Sequence, residues 1–430
     1  MNLTAISRPR FGIPPALTQA LGLFFVSSLV RGLGALAALA LAAYVGAGAD
    51  MDRYMAFSMV LSTACALFAS PLPVVVTRRI AQGPDLATAA HTCRQWASKI
   101  QRKAVLGYAL ACPVLAWLFT PKGTTGFTEL LVLLLLGLPS VLVCAVLATE
   151  QALLQARGYP FQAMWCAALT SGTSLGTAAL CGHFGGVYLA AFGLAVGPCL
   201  EFLWIRRLNR AIQPSQAELP VETFPWATML TVLGASAGIL VQSFYDQSLL
   251  AHMGAGAQAT WGLATRAPSF FNMSLAGMAG VLCSAMLTPA HAEGRLAGQS
   301  FRLCGLVLCL TIVVMGLVGV FAEPLVRVLY ERGAFGPEDT VKVTHVLHWA
   351  VIAYVTYPAS TVLIRALGLI GGHKTLVASS VVFLLVKVGM TTILLPWLGV
   401  GALTVATLAG GGSQMAMLGW RIRQSTNSKK

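Results

Sequence analysis

Arg31, Arg266 and Lys387 stand in the interiors of long apolar runs. A cation at the centre of a bilayer costs about 3 kcal/mol on insertion scales and persists there by facing a cavity or a partner. Arg31 precedes the turn at Gly46 by 15 residues, about 22 Å of helix, and Arg266 follows Gly256 by ten, about 15 Å. Both therefore fall near mid-membrane. Each either pairs with a carbonyl or carboxylate of its own half of the chain or faces a central polar cavity, where forked guanidinium groups suit an anion such as a pyrophosphate. Asp246 lies eight residues before Gly254 and Lys387 nine before Pro396, at depths of about 12 and 14 Å. Matched depth and opposite sign predict an ion pair between two helices; the alternative is an Asp246 that titrates or binds a coupling ion. Glu150 lies two turns before Arg157 at a cytoplasmic helix end, as a mouth residue or a local partner.

Other chemistry is not visible in the sequence. It has no G-x-x-x-x-G-K-S/T loop, and glycine pairs such as Gly32 and Gly34 read as helix packing points. His345 and His348 lie one turn apart but lack a third ligand nearby. The ten cysteines occur singly in apolar stretches, without C-x-x-C spacing, and read as small membrane-core residues. No enzyme, cofactor, metal or nucleic-acid partner is expected.

The elements that must hold these residues are membrane helices. Of 430 residues, 57% are hydrophobic and 10% charged, and mean hydropathy is +0.76, which excludes a water-soluble globular enzyme. About twelve spans of about 20 residues fit this length. Apolar windows place them near 16–45, 53–77, 104–120, 128–156, 161–181, 186–205, 225–252, 257–288, 301–321, 342–369, 374–395 and 400–420. The first run, from Leu17 to Val45, is too long for a secretory signal.

The net charge of +14 is mostly topological. Of 28 basic residues, 20 fall in alternate loops and at both ends, five in the other loops (Arg53, Lys122, Arg327, Arg332 and Lys342), and three inside spans. The positive-inside rule then puts both termini in the cytoplasm.

The chain also repeats itself. Tyr44–Ala49 (Y-V-G-A-G-A) matches His252–Ala257 (H-M-G-A-G-A), Leu153–Gly158 (L-L-Q-A-R-G) matches Leu363–Gly368 (L-I-R-A-L-G), and Gly186-Val187 matches Gly399-Val400. Three ordered matches at nearly one offset predict an all-α polytopic protein of two parallel six-helix lobes, 1–210 and 225–430, joined by a cytoplasmic linker over 211–224. In such repeats the site lies between the lobes near the bilayer midplane.

At this point the sequence resembles the MurJ/MviN-type lipid II flippases of the multidrug/oligosaccharidyl-lipid/polysaccharide exporter superfamily, which includes the MATE transporters. Leu329–Thr340 (L-Y-E-R-G-A-F-G-P-E-D-T) is the most specific segment. Arg31–Gly34 (R-G-L-G), Gly46–Gly48, Asp52, Asp246 with Trp261–Arg266, Arg365–Thr375 and Leu394–Gly399 support it. The resemblance implies a flippase in the bacterial inner membrane that moves an undecaprenyl-pyrophosphate-linked sugar, lipid II or a related polysaccharide precursor, to the outer leaflet by alternating access. Cell-wall or polysaccharide synthesis enzymes are the protein partners it implies.

It also implies that Arg31, Arg266 and Asp52 line the central cavity, with Arg53 beside them. Glu150, Arg157 and Arg365 would mark the cytoplasmic mouth, and Asp246, Lys387 and Thr391 a coupling site. The alternatives are an exporter of amphipathic small molecules and a scaffold of an envelope-synthesis complex.

Departures from the family pattern bear on the substrate. A second arginine of the family's first helix falls at Ala37, and an arginine-bearing stretch of its second helix falls at Ser62–Pro73. The anion site is thus thinner, and the sequence reads as a shorter, twelve-helix member. Lys387 occupies a position that serves Na+ in some relatives, which argues against Na+ coupling.

Overall fold

The computed structural model describes residues 15–427 apart from 70–71, 74, 77–78, 80–85, 121–125, 158, 185, 212–225, 293 and 371. The expected linker over 211–224 falls outside them save for Ala211. The described residues form α-helices, as a chain with no water to satisfy its backbone must. In the first lobe these are α1 (Pro15–Val45), α2 (Ala49–Ala69), α3 (Leu86–Phe119), α4 (Phe127–Leu136), α5 (Leu138–Ala156), α6 (Pro160–Phe184) and α7 (Gly186–Leu208). A short 3-10 turn, Asn209–Ala211, follows. The second lobe holds α8 (Trp226–Ala251), α9 (Ala257–Ala264), α10 (Arg266–Ala292), α11 (Leu296–Val320), α12 (Ala322–Tyr330), α13 (Pro337–Ala353), α14 (Tyr357–Leu369), α15 (His373–Leu398) and α16 (Gly401–Asn427).

Three expected spans are each divided in two. The breaks lie at Gly137, at Thr265 and at Tyr354–Thr356, shortly before Pro139, Pro268 and Pro358. Each proline lacks the N–H that would bond four residues back and crowds that carbonyl, so the helix parts there. The third span starts earlier than its apolar window, at Leu86, because the basic stretch before that window is helical too.

Seven helical stretches among the described residues are long and apolar enough to cross a membrane: α1, α3, α4 with α5, α7, α11, α13 with α14, and α15. The other expected spans fall on α2, α6, α8, α9 with α10, and α16. These are the helices that carry most of the polar side chains facing the interior, such as Ser58, Thr170, Gln247, Asn272 and Gln414. The outside of the bundle is apolar, with Trp117, Trp204, Trp397 and Trp420 exposed near helix ends, where amphipathic rings anchor at a membrane interface.

The lobes repeat in packing as in sequence. Helix α1 packs on α6 as α8 packs on α15, and α6 on α7 as α15 on α16. The matched glycines share backbone conformation: Gly186 and Gly399, at the entries to α7 and α16, have φ of 57° and 53°. Close helix contact relies on G-x-x-x-G spacing in both lobes. Gly193 and Gly197 of α7 meet Thr177 and Thr170 of α6, and Gly234 and Gly238 of α8 meet Val377 and Ser380 of α15.

Candidate functional site: a two-chambered cavity between the lobes

Two adjoining cavities open where the lobes face each other. The larger, about 650 Å³, lies on the first-lobe side and is walled by hydroxyls: Ser58, Ser62, Ser140, Thr170, Ser171 and Ser174. The smaller, about 310 Å³, lies in the second lobe and is walled by amides and aromatic rings, among them Gln242, Gln247, Asn272, Gln414, Tyr357 and Phe383. Met59, Gln247, Ser269, Met273 and Tyr354 line both.

Two of the proline breaks shape this space. Arg266 opens α10 directly after the break at Thr265 and lines the larger chamber. Its Nη2 lies 3.8 Å from Met55 Sδ, and among the described residues no carboxylate pairs with it. Tyr354, at the other break, lines both chambers. Carbonyls beside the breaks also accept from tyrosines on neighbouring helices: Tyr330 donates to Leu263 O at 3.1 Å and Tyr108 to Leu134 O at 2.9 Å.

Arg31 belongs to α1, but its side chain lies outside the described residues. Gly34, Ala37 and Ala38, further along α1, line the larger chamber, as does Ser62. Ala37, where the second arginine of the family's first helix was expected to fall, thus presents a small neutral group to the cavity.

Asp52 and Arg53 are not brought to the cavity. Asp52 is buried at the predicted outer end, where it accepts from Gly256 N at 2.5 Å and Ala259 N at 2.6 Å. A first-lobe carboxylate thus caps the N-terminus of second-lobe helix α9, satisfying amides with no partner inside that helix. Arg53 pairs instead with Asp50 at 2.9 Å and with Glu129 of α4.

The most specific sequence segment joins the same clasp. Ala334 N donates to Ala43 O at 2.8 Å, Phe335 is buried, and Gly333, with φ of 60°, lies so close to Ala43 O that no side chain fits. Gly256, with φ of 84°, abuts Ala47 O. The repeated Y-V-G-A-G-A and H-M-G-A-G-A turns therefore meet each other across the lobe boundary.

Lys387 Nζ lies 2.6 Å from Asp246 Oδ2 and donates to Thr407 Oγ1 at 2.8 Å, joining α8, α15 and α16. Thr391, one turn along α15, is buried and makes no hydrogen bond to the pair among the described residues.

The residues assigned to the cytoplasmic mouth separate. Glu150 is buried and receives a bidentate pair from Arg94, Nε at 2.7 Å and Nη2 at 3.0 Å, with Asn209 Nδ2 at 2.8 Å. It is a local partner, of Arg94 rather than Arg157. Arg157 donates to Leu208 O at 3.0 Å, and Arg365 is exposed on α14 away from both chambers. The amides of the smaller chamber escaped the sequence reading, as did buried Glu201, which accepts from Gln151 and from Thr170 of the chamber wall, each at 2.6 Å. The available signal was a polar side chain within an apolar helix, which applies to uncharged residues as well.

Solved structures share this fold. A lipid II flippase MurJ in an inward closed conformation superposes with a TM-score of 0.77 at 17% identity, covering 94% of this chain and 87% of that one. An inward-facing multidrug resistance MATE transporter of the MOP superfamily gives 0.74 at 14% identity, covering 95% and 98%. A MOP superfamily transporter from Pyrococcus furiosus gives 0.65 at 15% identity, covering 96% of each. Curated proteins return no match. The sequence profile of the lipid II flippase MurJ family matches residues 103–430, more than half of the chain, and the protein belongs to that family.

Proposed function

We propose that the protein carries an undecaprenyl-pyrophosphate-linked sugar from the cytoplasmic to the outer leaflet of the bacterial inner membrane, with both termini in the cytoplasm. The lobes rock about the central cavity, exposing it to one face at a time. The observation that carries this reading is the placement of Arg266: a permanently charged fork, walled by polar groups between the lobes and without a carboxylate partner among the described residues. Such a group in a low-dielectric cavity is matched to an anion that arrives with the cargo.

The Asp246–Lys387 pair supports a second element of the proposal. A fixed ammonium stands against the carboxylate where a mobile cation would otherwise bind, so cation exchange at this site does not drive the cycle. Membrane potential acting on the cationic cavity is the compatible driving force.

The test is Arg266→Ala, with Arg31→Ala beside it, in cells depleted of their own flippase. Hydrogen bonds to charged groups contribute about 1.5–3 kcal/mol, so exposure of lipid-linked sugar at the outer face is expected to fall by more than about tenfold. The amount of inserted protein should stay unchanged. Normal export in both variants would overturn the proposal.

A further inference from the structure

Asp52, Glu150, Glu201 and Asp246 are the buried carboxylates among the described residues. Three of them face groups that can only donate: backbone amides at Asp52, a guanidinium at Glu150 and an ammonium at Asp246. Glu201, 3% exposed, differs. Gln151 Nε2 donates to its Oε1 and Thr170 Oγ1 to its Oε2, each at 2.6 Å, and among the described residues no cation pairs with it. A hydroxyl accepts as readily as it donates, so Thr170 can serve a carboxylate as donor and a carboxylic acid as acceptor. The same site therefore holds Glu201 in either state.

The internal repeat supplies a counterpart. At the offset that relates Gly186 to Gly399, Gly197 corresponds to Gly410 and Thr170 to Phe383. Gly197 meets the backbone of Thr170 as Gly410 meets that of Phe383. At this offset Glu201 corresponds to Gln414, which lines the smaller chamber. Each lobe thus sets a polar side chain one helical turn past a close glycine contact, and of this pair only the first-lobe member can carry a charge.

The groups around Glu201 leave it without a fixed partner. On α6, Cys166 is buried one turn before Thr170. On α5, Glu150 is paired with Arg94, and Arg157 bonds Leu208 O. On α7, Cys199 bonds Pro139 O, Arg206 lies over the ring of Phe202 and Arg207 is exposed, as is Arg210 of the 3-10 turn. On α2, Tyr54 and Cys65 line the larger chamber, while Asp52 and Arg53 are engaged at the far end, Arg53 with Glu129 of α4. On α1, Arg31 stands three residues before Gly34, which approaches Ser171.

Thr170 lines the larger chamber with Ser171 and Ser174. Glu201 is therefore one hydroxyl behind that wall. A negative charge there repels an anion in the chamber, and a proton on it removes the repulsion. Linkage is reciprocal, so an anion that prefers the protonated form draws a proton to it.

We propose that Glu201 is a proton site tied to the larger chamber, taking up a proton as an anion enters and giving it up as the anion leaves. The proton passes from solvent in the open chamber to Thr170 Oγ1 and on to Glu201 Oε2, one O–H bond breaking as each new one forms. The anion rests on the flippase reading above; the proton is a second ligand.

The experiment measures binding of a polyprenyl pyrophosphate to the purified full chain across pH, for the wild type and for Glu201→Gln, which installs the amide its counterpart carries. The probe's own titration is common to both proteins and cancels in their ratio. At acid pH Glu201 is neutral and the ratio is expected to be about one. As pH rises through its midpoint the carboxylate charges and wild-type binding weakens, so the variant is expected to bind roughly tenfold or more tightly. Infrared difference spectra of the lipid-free protein over the same range should show a carboxylic acid band that Glu201→Gln lacks. Thr170→Val removes a donor from the charged form and should move the midpoint of that band upward.

A ratio that does not change with pH would overturn the inference and leave the flippase reading intact. A constant ratio far from one would mark a fixed charge, as a standing partner of Arg31 would be. An infrared titration identical in wild type and Glu201→Gln would overturn it as well. If neither protein binds the probe at any pH, the flippase reading falls and the link to an anion with it.

Discussion

Lys387 and Asp246 illustrate what single residues reveal from sequence and what they hide. Counting residues from the outer turns placed the two at one depth with opposite charge, and they stand 2.6 Å apart. Removing one partner of a buried pair strands the other, at about 3–5 kcal/mol, whereas removing both leaves no uncompensated charge. Lys387→Ala and Asp246→Ala are therefore each expected to lower the unfolding midpoint in detergent markedly, and the double variant to lie well above the additive value. A double variant as unstable as the sum would rule out mutual compensation. If the ammonium stands in for a coupling cation, added Na+ should restore transport to Lys387→Ala. Depth counting also located Arg266. The resemblance, not depth, placed Asp52 at the cavity; its partners, the free amides of α9, belong to no side chain and leave no mark in a charge pattern. Glu150 is the local partner that one of its two readings expected, but Arg94 comes within reach only through the basic extension of α3, which is too polar to register as part of a span.

At the scale of elements, each apolar window falls on a helix, and seven helical stretches among the described residues are long and apolar enough to cross a membrane, because lipid demands continuous helices of one length. What they concealed was interruption. Hydropathy averages over a window, so Pro139, Pro268 and Pro358 vanish within apolar runs although each parts a helix. Two of these breaks border the cavity, and the tyrosines that bond carbonyls beside the breaks are part of their construction. Tyr330→Phe keeps the ring, packed beside Phe335 with centroids 5.7 Å apart, and deletes only the bond to Leu263 O. Its cost is expected to be about 1 kcal/mol, measurable by thermal unfolding. Tyr330→Phe at wild-type stability would mean that Leu263 O is satisfied by other means. Because Leu263 lies next to the break that precedes Arg266, the same variant should also weaken substrate binding at Arg266.

For the whole molecule, two glycine turns related by the repeat, with the Leu329–Thr340 segment, hold the lobes together at the predicted outer end. A Cβ placed at Gly46 would lie 3.8 Å from Ala334 Cβ, the spacing of a disulfide. The pair Gly46→Cys and Ala334→Cys, in a background without the ten free cysteines, should therefore cross-link on oxidation. The strain of a side chain at φ of 71° is about 1–2 kcal/mol. Transport is expected to stop when the bridge forms and to return with reductant. Full transport in the bridged protein would show that this end need not part. The sequence carried this contact only as a motif match. Its meaning depends on two distant turns facing each other, which neither periodicity nor charge counting records.

The cap that Asp52 places on α9 bears on how sharply the molecule switches. Its two charge-assisted bonds, and the one from Ala334 to Ala43, contribute about 1.5–3 and 0.5–1.5 kcal/mol net apiece. Together they match the roughly 5.5 kcal/mol that carries an equilibrium from 1:99 to 99:1. Three bonds made at one spot can thus weight the balance between two states almost entirely, and they break together or not at all. The clasp adds to other contacts between the lobes, among them the stacked rings of Phe119 and Phe244 and the packing of α1 on α10, and the helices themselves pass through the change intact.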